Sequence, residues 1–317
     1  MLQLLLGGSG SGKTMLLYQR IRARAEKGEK SILLVPEQFT SSTEGRIYRE
    51  LGDALSGMVE SFSFTSLAEK ILSTEGGAAV QTLSDAGRAV LVRRALEELQ
   101  DNVHYYHRHR RSAAFCQMAA QTIDELKSAG LSGQQLAQLA GACGAESGKL
   151  SELALIFQGY ETLLARSGMD PSDRLELAGA RLEEALARHS LPEFLRDRAV
   201  FIDEFDTFNA PKKRLLGAML AALPSVTVAL CDDGAPLLPG DLSLFSGAKQ
   251  VAAQLRQLAR KNGAEVAVPQ LLRKDLRHRN APGLAAVAEL LETGSCTADA
   301  PAGEVRLFAA PSREEEA

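Results

Sequence analysis

The sequence has few of the features that mark secreted, membrane-spanning or disulfide-rich proteins. Its four cysteines are widely separated along 317 residues and include no C-x-x-C pair: Cys116, Cys143, Cys231 and Cys296. This spacing argues against a disulfide framework and against a self-contained zinc or iron–sulfur site, and it favours a cytoplasmic setting. No apolar run approaches the about 18 residues of a membrane helix, and the apolar start is too short for a signal peptide. We therefore expect no membrane partner.

Charge of one sign is also scarce. The formal net charge is −4, with 24% charged and 45% hydrophobic residues. This mild acidity excludes a wholly basic nucleic-acid coat protein but leaves room for a local basic groove. The composition is that of a folded chain, and the length predicts about two domains.

Residues 1–77 alternate between strand and helix patterns. Ser41 with Glu44, and Ser66 with Glu69, have the spacing of helix capping boxes. Alternation of this kind favours an α/β fold with a parallel sheet covered by helices. The predicted strands are 2–6, 31–35 and 58–62, and the predicted helices are 12–27, 41–55 and 66–76.

The pattern changes near residue 83 and changes back near residue 191. The stretch between these two points predicts helices at 84–100, 112–129, 132–140, 149–166 and 172–188. The stretch after residue 191 predicts strands at 199–202, 226–230, 265–268 and 305–309, with helices at 211–222, 247–262 and 284–292. We expect one α/β domain, split between 1–82 and 191–303, an inserted all-helical domain at 83–190, and the truncated start of another domain at 304–317.

A glycine-rich segment follows the first predicted strand and matches G-x-x-x-x-G-K-[ST]. Successive backbone N–H groups can point at phosphate oxygens along a path that glycine adopts at little cost, and the helix that follows directs its positive end at the anion. Lys13 is expected on the β- and γ-phosphates, and the Thr14 hydroxyl on Mg²⁺. The predicted nucleotide-binding residues are Gly7, Gly8, Ser9, Gly10, Ser11, Gly12, Lys13 and Thr14.

Two carboxylates, Asp203 and Glu204, end the apolar strand at 199–202. At the C-terminal edge of a parallel sheet they would face the phosphate loop. Asp203 is predicted to hold Mg²⁺, and Glu204 to activate the attacking water as the catalytic base. Asp206 is predicted to cap the turn that follows.

In combination, these segments resemble a superfamily 1 helicase motor. The motor's DNA-contacting segments are matched at 32–40 and 59–67, its D-E-F-Q-D-T block at 201–208, and its G-D-D strand at 226–234. More narrowly, LVPEQFT at 34–40, the segment at 59–77 and VRLFAAPSREEEA at 305–317 are similar to the AddB family of nuclease-bearing subunits of bacterial AddAB helicase–nucleases.

The resemblance implies a RecA-like P-loop NTPase sheet with an inserted all-helical domain. It implies ATP and Mg²⁺ as cofactors, DNA as a ligand, an AddA-like helicase subunit as partner in a heterodimer, and a role in double-strand break repair. A nuclease domain with an iron–sulfur cluster is implied only for the part of such subunits that lies beyond this chain. Ala235 stands where active motors carry a γ-phosphate-sensing glutamine, which implies a weak or silent ATPase.

The predicted DNA contacts come from the two matched segments and from one basic run. The run at 104–111 holds three histidines, three arginines and two tyrosines, which suit phosphate contacts and base stacking. A second basic run, at 273–279, is interpreted as solvent-exposed. The predicted DNA-binding residues are Gln38, Thr40, Ser61, Phe64 and Arg108.

Two other functions remain open from the sequence. One is a non-enzymatic, ATP-bound scaffold of a DNA repair complex. The other is a P-loop kinase, which the Asp-Glu pair after a helical stretch of about 100 residues disfavours.

Overall fold

A computed structural model describes residues 1–77, 81–144 and 147–295, with a few single positions after them. Within these residues six strands form one sheet in the order β3-β2-β4-β5-β1-β6, and all its neighbouring strands are parallel. The strands are β1 (Leu2–Gly7), β2 (Ser31–Leu34), β3 (Val59–Phe62), β4 (Ala199–Ile202), β5 (Ser225–Cys231) and β6 (Gln270–Leu272). The expected α/β class with a parallel sheet is confirmed.

Helices connect the strands and cover both faces of the sheet. They are α1 (Lys13–Ala25), α2 (Thr40–Leu51), α3 (Asp53–Ser56), α4 (Phe64–Glu75), α5 (Asp85–Glu98), α6 (Ala113–Ser128), α7 (Gly133–Ala140), α8 (Ser147–Ser167), α9 (Pro171–Ala187), α10 (Ala210–Ala222), α11 (Ser246–Lys261) and α12 (Pro282–Thr293). None of them is long and apolar enough to cross a membrane, as far as the described residues go.

Alternate side chains of each strand enter two different cores, as the two-residue period of a strand requires. In β1, Leu4 and Leu6 pack with α4, α9, α10 and α11 on one face, whereas Leu5 packs with α1 and α2 on the other. Strands buried on both faces have continuous apolar sequences, which is why these segments were recognisable in the sequence.

Helices α5, α6, α7 and α8 enclose a separate apolar core around Ile156, Phe157 and Tyr160. Helix α9 instead places Leu175 and Leu182 in the core of the sheet. The proposed domain limits at residues 83 and 190 therefore stay a prediction, because the apolar side of α9 packs in the core of the sheet rather than in the core of the preceding helices.

The last described strand lies further along the chain than predicted. Only Val266 of the stretch 265–268 pairs with β1, as an isolated bridge to Leu2. Pro269 follows, and because proline has no N–H it cannot donate to a ladder. Regular pairing resumes at β6, where Gln270 lies opposite Leu5.

Both predicted capping boxes are wrong. Helix α4 is capped by Ser63, whose side chain accepts from the Ser66 N–H, while the Ser66 hydroxyl accepts from the Ser63 N–H. Helix α2 continues directly from a 3-10 turn at Glu37–Phe39 and ends at Gly52, whose φ is 76°. The strand predicted at 305–309 and the domain start at 304–317 lie outside the described stretches.

Candidate functional site

The glycine-rich segment 7–14, called the phosphate loop after its predicted role, joins β1 to α1 at the C-terminal edge of the sheet. Gly10 and Gly12 have φ values of 78° and 89°, the left-handed region that only glycine enters without strain. Gly12 occupies the N-cap position of α1 and has no side chain to cap it. The first N–H groups of α1 consequently remain available to an anion, with the positive end of the helix dipole behind them.

Lys13 is folded back over this loop. Its Nζ donates to the carbonyl oxygens of Gly7, at 2.7 Å, and Gly8, at 2.8 Å. Burial lowers the pKa of Lys13, and the nearby Cys231 and Asp203 oppose this change. The Ser11 hydroxyl is buried and, among the described residues, has no hydrogen-bond partner. The loop therefore holds a cation and an unsatisfied hydroxyl.

The carboxylate of Asp203 reaches the same place from β4. β5 lies between β4 and β1, so Asp203 and the phosphate loop belong to strands that are not direct neighbours. Asp203 is buried and accepts a hydrogen bond from the Thr14 side chain. Burial raises its pKa, and the bonds from Thr14 and the Glu204 N–H, with the charge of Lys13, oppose that rise.

Glu204 is exposed beside Asp203 and has a left-handed backbone, with φ of 65°. Such a conformation costs a non-glycine residue about 1–3 kcal/mol and commonly occurs where geometry serves a function. Its N–H donates to Asp203 Oδ1 at 3.1 Å. Burial and the adjacent Asp203 raise the pKa of Glu204, whereas Arg46 acts to lower it.

Two adjoining cavities open around these carboxylates. Their volumes are about 530 and about 450 Å³, and Thr14, Arg46, Asp203 and Glu204 line both. The Arg46 guanidinium lies 5.1 Å from the ring centre of Tyr18, a phenol whose pKa burial raises to about 12. Cavities of this size hold ligands of nucleotide dimensions.

The second basic run, interpreted from sequence as solvent-exposed, lies against the phosphate loop. The Leu276 N–H donates to the Gly10 carbonyl at 3.0 Å, and Arg277 Nη1 donates to Ser9 Oγ at 3.0 Å. A Cβ at Gly12 would stand 2.8 Å from Leu276 Cδ1. Sequence reasoning missed this contact because it placed the last strand too early in the chain. A basic run directly after a strand beside β1 must emerge at the edge that carries the phosphate loop.

Two of the predicted DNA contacts share a pocket of about 260 Å³. Gln38 and Phe64 line it together with Phe205 and Lys212. Phe64 is buried and packs edge-on against Phe205, with 5.2 Å between ring centres. The Lys212 amino group lies 5.6 Å and 5.4 Å from these two rings, and burial lowers its pKa. The pocket thus presents a poorly hydrated cation beside aromatic rings.

The other three predicted contacts are placed elsewhere. The Thr40 hydroxyl donates to the Glu37 carbonyl at the start of α2, and Ser61 lies within β3, opposite Leu33. Arg108 is exposed in the loop between α5 and α6, which belong to the separate core of the helices. The structure therefore brings Gln38 and Phe64 together and separates Arg108 from them.

Most of this chain matches one known protein family. The family profile described as "ADDB, N-terminal" matches residues 4–288. The chain belongs to the AddB family. This confirms the resemblance seen in the sequence, and it places the chain at the N-terminal region of that family.

Curated members of the AddB family align along most of the chain. Three of them are named as a subunit of an ATP-dependent helicase/deoxyribonuclease. The one from Desulforudis audaxviator is 34% identical over 99% of the chain, the one from Moorella thermoacetica 33% over 90%, and the one from Symbiobacterium thermophilum 31% over 99%. The alignments cover 27%, 25% and 28% of those relatives, so the chain spans about a quarter of their length.

Proposed function

We propose that this chain is the nucleotide- and DNA-binding, motor-like part of a helicase–nuclease subunit that acts in double-strand break repair. The observation that carries the proposal is the convergence of Lys13, Thr14 and Asp203 at one edge of the sheet. The partner is proposed to be an AddA-like helicase subunit. Nuclease activity and an iron–sulfur cluster are proposed only for the further length of chain that the relatives have.

The residues at the loop suit a magnesium nucleotide. The Ser11 hydroxyl is buried without a partner in the described stretches, and the amides of α1 are uncapped. In this proposal Lys13 exchanges its bonds to the Gly7 and Gly8 carbonyls for phosphate oxygens. Thr14 and Asp203 hold Mg²⁺, which requires Asp203 to be ionised despite its burial. The bound nucleotide supplies the phosphoanhydride bond that hydrolysis would break.

Glu204 is proposed to orient the attacking water and accept its proton. A carboxylate with a raised pKa is a stronger base, which suits this role. The left-handed backbone of Glu204 and the bond from its N–H to Asp203 fix the backbone position from which the Glu204 side chain extends. Arg277, held on Ser9, adds a second cation at the loop, so we include it among the phosphate-binding residues.

Turnover is proposed to be weak or absent. Ala235 has no polar side chain to sense the γ-phosphate, and an arginine supplied to that phosphate is worth about 10³–10⁵ in rate in related reactions. Leu276 also lies over Gly12, so the segment after β6 must move for a nucleotide to seat fully. The chain would then use nucleotide to set its conformation rather than to do work.

Single-stranded DNA is proposed to bind at the pocket formed by Gln38, Phe64, Phe205 and Lys212. The Lys212 ammonium is partly desolvated there, so a phosphate or base carbonyl that replaces water gains more than it would at a fully hydrated lysine. Thr40 of α2 and Ser61 of β3 are proposed as further contacts to the DNA backbone.

A non-enzymatic scaffold is the second candidate. The observation that favours it is the cover of Leu276 and Arg277 over the phosphate loop, together with the bonds of Lys13 to its own loop. In that case nucleotide and Mg²⁺ would bind poorly and DNA binding would be independent of both.

Thermal unfolding with and without ATP and Mg²⁺ tests the proposal. A ligand that binds only the folded state adds about 2.7 kcal/mol at a hundredfold excess over its dissociation constant. Lys13→Ala should remove this gain. Lys27→Ala, which removes an exposed charge beyond the far end of α1, is the matched control and should keep it. Absence of any gain in the unchanged chain would favour the scaffold.

A further inference from the structure

The loop between α5 and α6, residues 103–111, forms a basic surface on the helical part of the molecule, and we call it the basic loop. Its residues after Val103 are His104, Tyr105, Tyr106, His107, Arg108, His109, Arg110 and Arg111. Val103 anchors the loop in the core of the helices, where it is 1% exposed. The side chains of Tyr105, Arg108 and Arg111, by contrast, are exposed.

A buried carboxylate holds the backbone of the basic loop. Glu152 of α8 accepts hydrogen bonds from the N–H groups of His104, Tyr105 and Tyr106 at 2.8 to 3.1 Å. Burial acts to raise the pKa of Glu152, but these three amides outweigh it and hold the pKa below its usual value. The carboxylate stays charged and the loop is ordered before any ligand arrives. An ordered loop loses less entropy on binding.

Packing between aromatic rings also holds the basic loop in place. The Tyr106 ring stacks on Phe115 with 5.4 Å between ring centres, and the His109 ring lies 5.6 Å from Phe115. The Tyr105 ring contacts the Tyr106 ring of this stack, with 6.3 Å between ring centres, yet Tyr105 is 59% exposed. Much of its ring is therefore available as a stacking surface, with the Lys149 amino group 5.4 Å from the ring centre.

The arginines of the basic loop form no ion pair in the part of the chain that the structure describes. They are Arg108, Arg110 and Arg111, although the chain as a whole carries a charge of −4. Arg110 contacts the ring of His107 instead. A local excess of arginines around an exposed ring is the arrangement that binds the phosphates and bases of single strands.

The basic loop and the pocket at Gln38 lie at opposite ends of α6. The loop ends at Ser112, the N-cap of α6. The other end of α6 leads to Gly130, where a Cβ would stand 2.9 Å from Cβ of Ala210, the first residue of α10. Lys212, on the first turn of α10, lines the pocket. Helix α6 has 16 residues and is about 24 Å long, and this length sets the scale of the separation between the two surfaces.

We propose that the basic loop is a second contact surface for single-stranded DNA, so that one strand binds the molecule at two separated points. Tyr105 stacks on a base, and Arg108 and Arg111 contact phosphates. This inference rests on the proposed DNA-binding function and extends it to the helical part. Two linked contacts make the affinity depend steeply on strand length, because a strand that reaches both gains from the high effective concentration of the second.

Fluorescence anisotropy with labelled oligothymidylates of two lengths tests this. At the about 3.4 Å per nucleotide of a helically stacked strand, about 24 Å corresponds to about 7 nucleotides, and an extended strand covers it with fewer. Strands of about 4 and about 15 nucleotides are therefore suitable. The unchanged chain should bind the longer strand at least about tenfold more tightly. The Arg108→Ala/Arg111→Ala variant should lose this advantage and lower the salt slope of the longer strand by about 1.4, at about 0.7 per phosphate contact.

Tyr105→Ala should lower the affinity for the longer strand about fivefold and leave the affinity for the shorter strand unchanged, as the loss of one stacked base predicts. The matched control is Arg260→Ala/Lys261→Ala, which removes the same charge from the exposed last turn of α11, outside both proposed DNA contacts. It should keep the length advantage. Circular dichroism should show that every variant remains folded.

The outcomes separate the two proposals. Unchanged binding of the longer strand by the Arg108→Ala/Arg111→Ala variant overturns the basic-loop assignment, and points to an acidic protein as the ligand of this surface. An equal loss in the control overturns it too, since the effect would be one of total charge. If the shorter strand does not bind but the loop variants weaken the longer one, the pocket at Gln38 is wrong and the basic loop stands. A duplex that competes as well as the strand overturns the preference for single strands.

Discussion

Asp203 shows how one buried side chain can oppose folding and serve binding. Burial raises its pKa, so the folded chain holds the proton more tightly than the unfolded chain does. Between the unfolded and the folded pKa, the folded state binds more protons, and stability falls as pH rises through that interval. The ionised carboxylate that Mg²⁺ requires is therefore a cost to the ligand-free molecule.

Asp203→Asn should consequently have opposite effects on stability and on binding. The ligand-free variant should melt about 1–2 °C higher near neutral pH, the shift that about 1 kcal/mol produces at this size, and its stability should vary less with pH. It should gain nothing from ATP with Mg²⁺. Asp206→Asn, an exposed neighbour in the same turn, is the control and should resemble the unchanged chain in both measurements. A variant that melts lower would mean that the bonds to Thr14 outweigh the burial of the charge.

Gly12 and Gly28 differ in why a larger side chain would be unfavourable. Both have positive φ, 89° and 76°, so alanine is strained by about 1–2 kcal/mol at either position. Only at Gly12 does the added Cβ meet another group, Leu276 Cδ1 at 2.8 Å. At Gly28 nothing lies within 4 Å.

We expect Gly28→Ala to lower stability by the strain alone and to keep the thermal gain from ATP. Gly12→Ala should lower stability further and lose that gain, since it pushes the phosphate loop against Leu276. Urea unfolding and nucleotide-dependent melting measure the two effects. Equal nucleotide responses in both variants would show that the loop does not form the phosphate site.

At the scale of elements, a buried ion cluster joins α9 to the helices that precede it. Asp170, at the N-cap of α9, is fully buried and lies 2.8 Å from Lys127 of α6 and 3.4 Å from Arg88 of α5. The Tyr160 hydroxyl of α8 donates to Asp170 at 2.5 Å. One carboxylate therefore anchors three helices where the chain leaves the helical core for the core of the sheet.

Asp170→Ala should destabilise the molecule by about 1–3 kcal/mol. It removes the buried charge that Lys127 and Arg88 share and leaves them only more exposed partners, such as Asp173 and Asp124. Asp85→Ala is a matched control: it removes a carboxylate 3.5 Å from the same Arg88, but one whose side chain is 97% exposed. The control should unfold at the same urea concentration as the unchanged chain. Similar midpoints for both variants would mean that water or rearranged side chains compensate for Asp170.

At the scale of the whole molecule, nucleotide binding and turnover should be separable. Phosphate release should stay near background with or without single-stranded DNA, because Ala235 cannot sense the γ-phosphate. Thermal stabilisation by ATP should nevertheless be present. A steady-state phosphate assay with Lys13→Ala as the blank measures this. DNA-stimulated release that disappears in Lys13→Ala would show an active motor.

Local order could be predicted from the sequence because it depends on neighbouring residues. The continuous apolar run of β1, the glycines after it and the helix that follows are all short-range signals. The five helices predicted between 84 and 188 occur within two residues of their predicted limits. The acidic end of β4 was recognised for the same reason. Errors at this scale came from choosing between nearby serines, as at Ser63 and Ser66.

Arrangement in space needed the fold, because it depends on contacts between segments far apart in the chain. β5 lies between β1 and β4, and α9 belongs to the core of the sheet, and no local pattern encodes either fact. The same holds for Arg277, which reaches Ser9 across 268 positions of sequence. Burial of apolar surface across the whole chain fixes the sheet order and the helix crossings, and these bring such residues together. The sequence therefore indicated the chemistry of the site, whereas packing determined which residues lie in it.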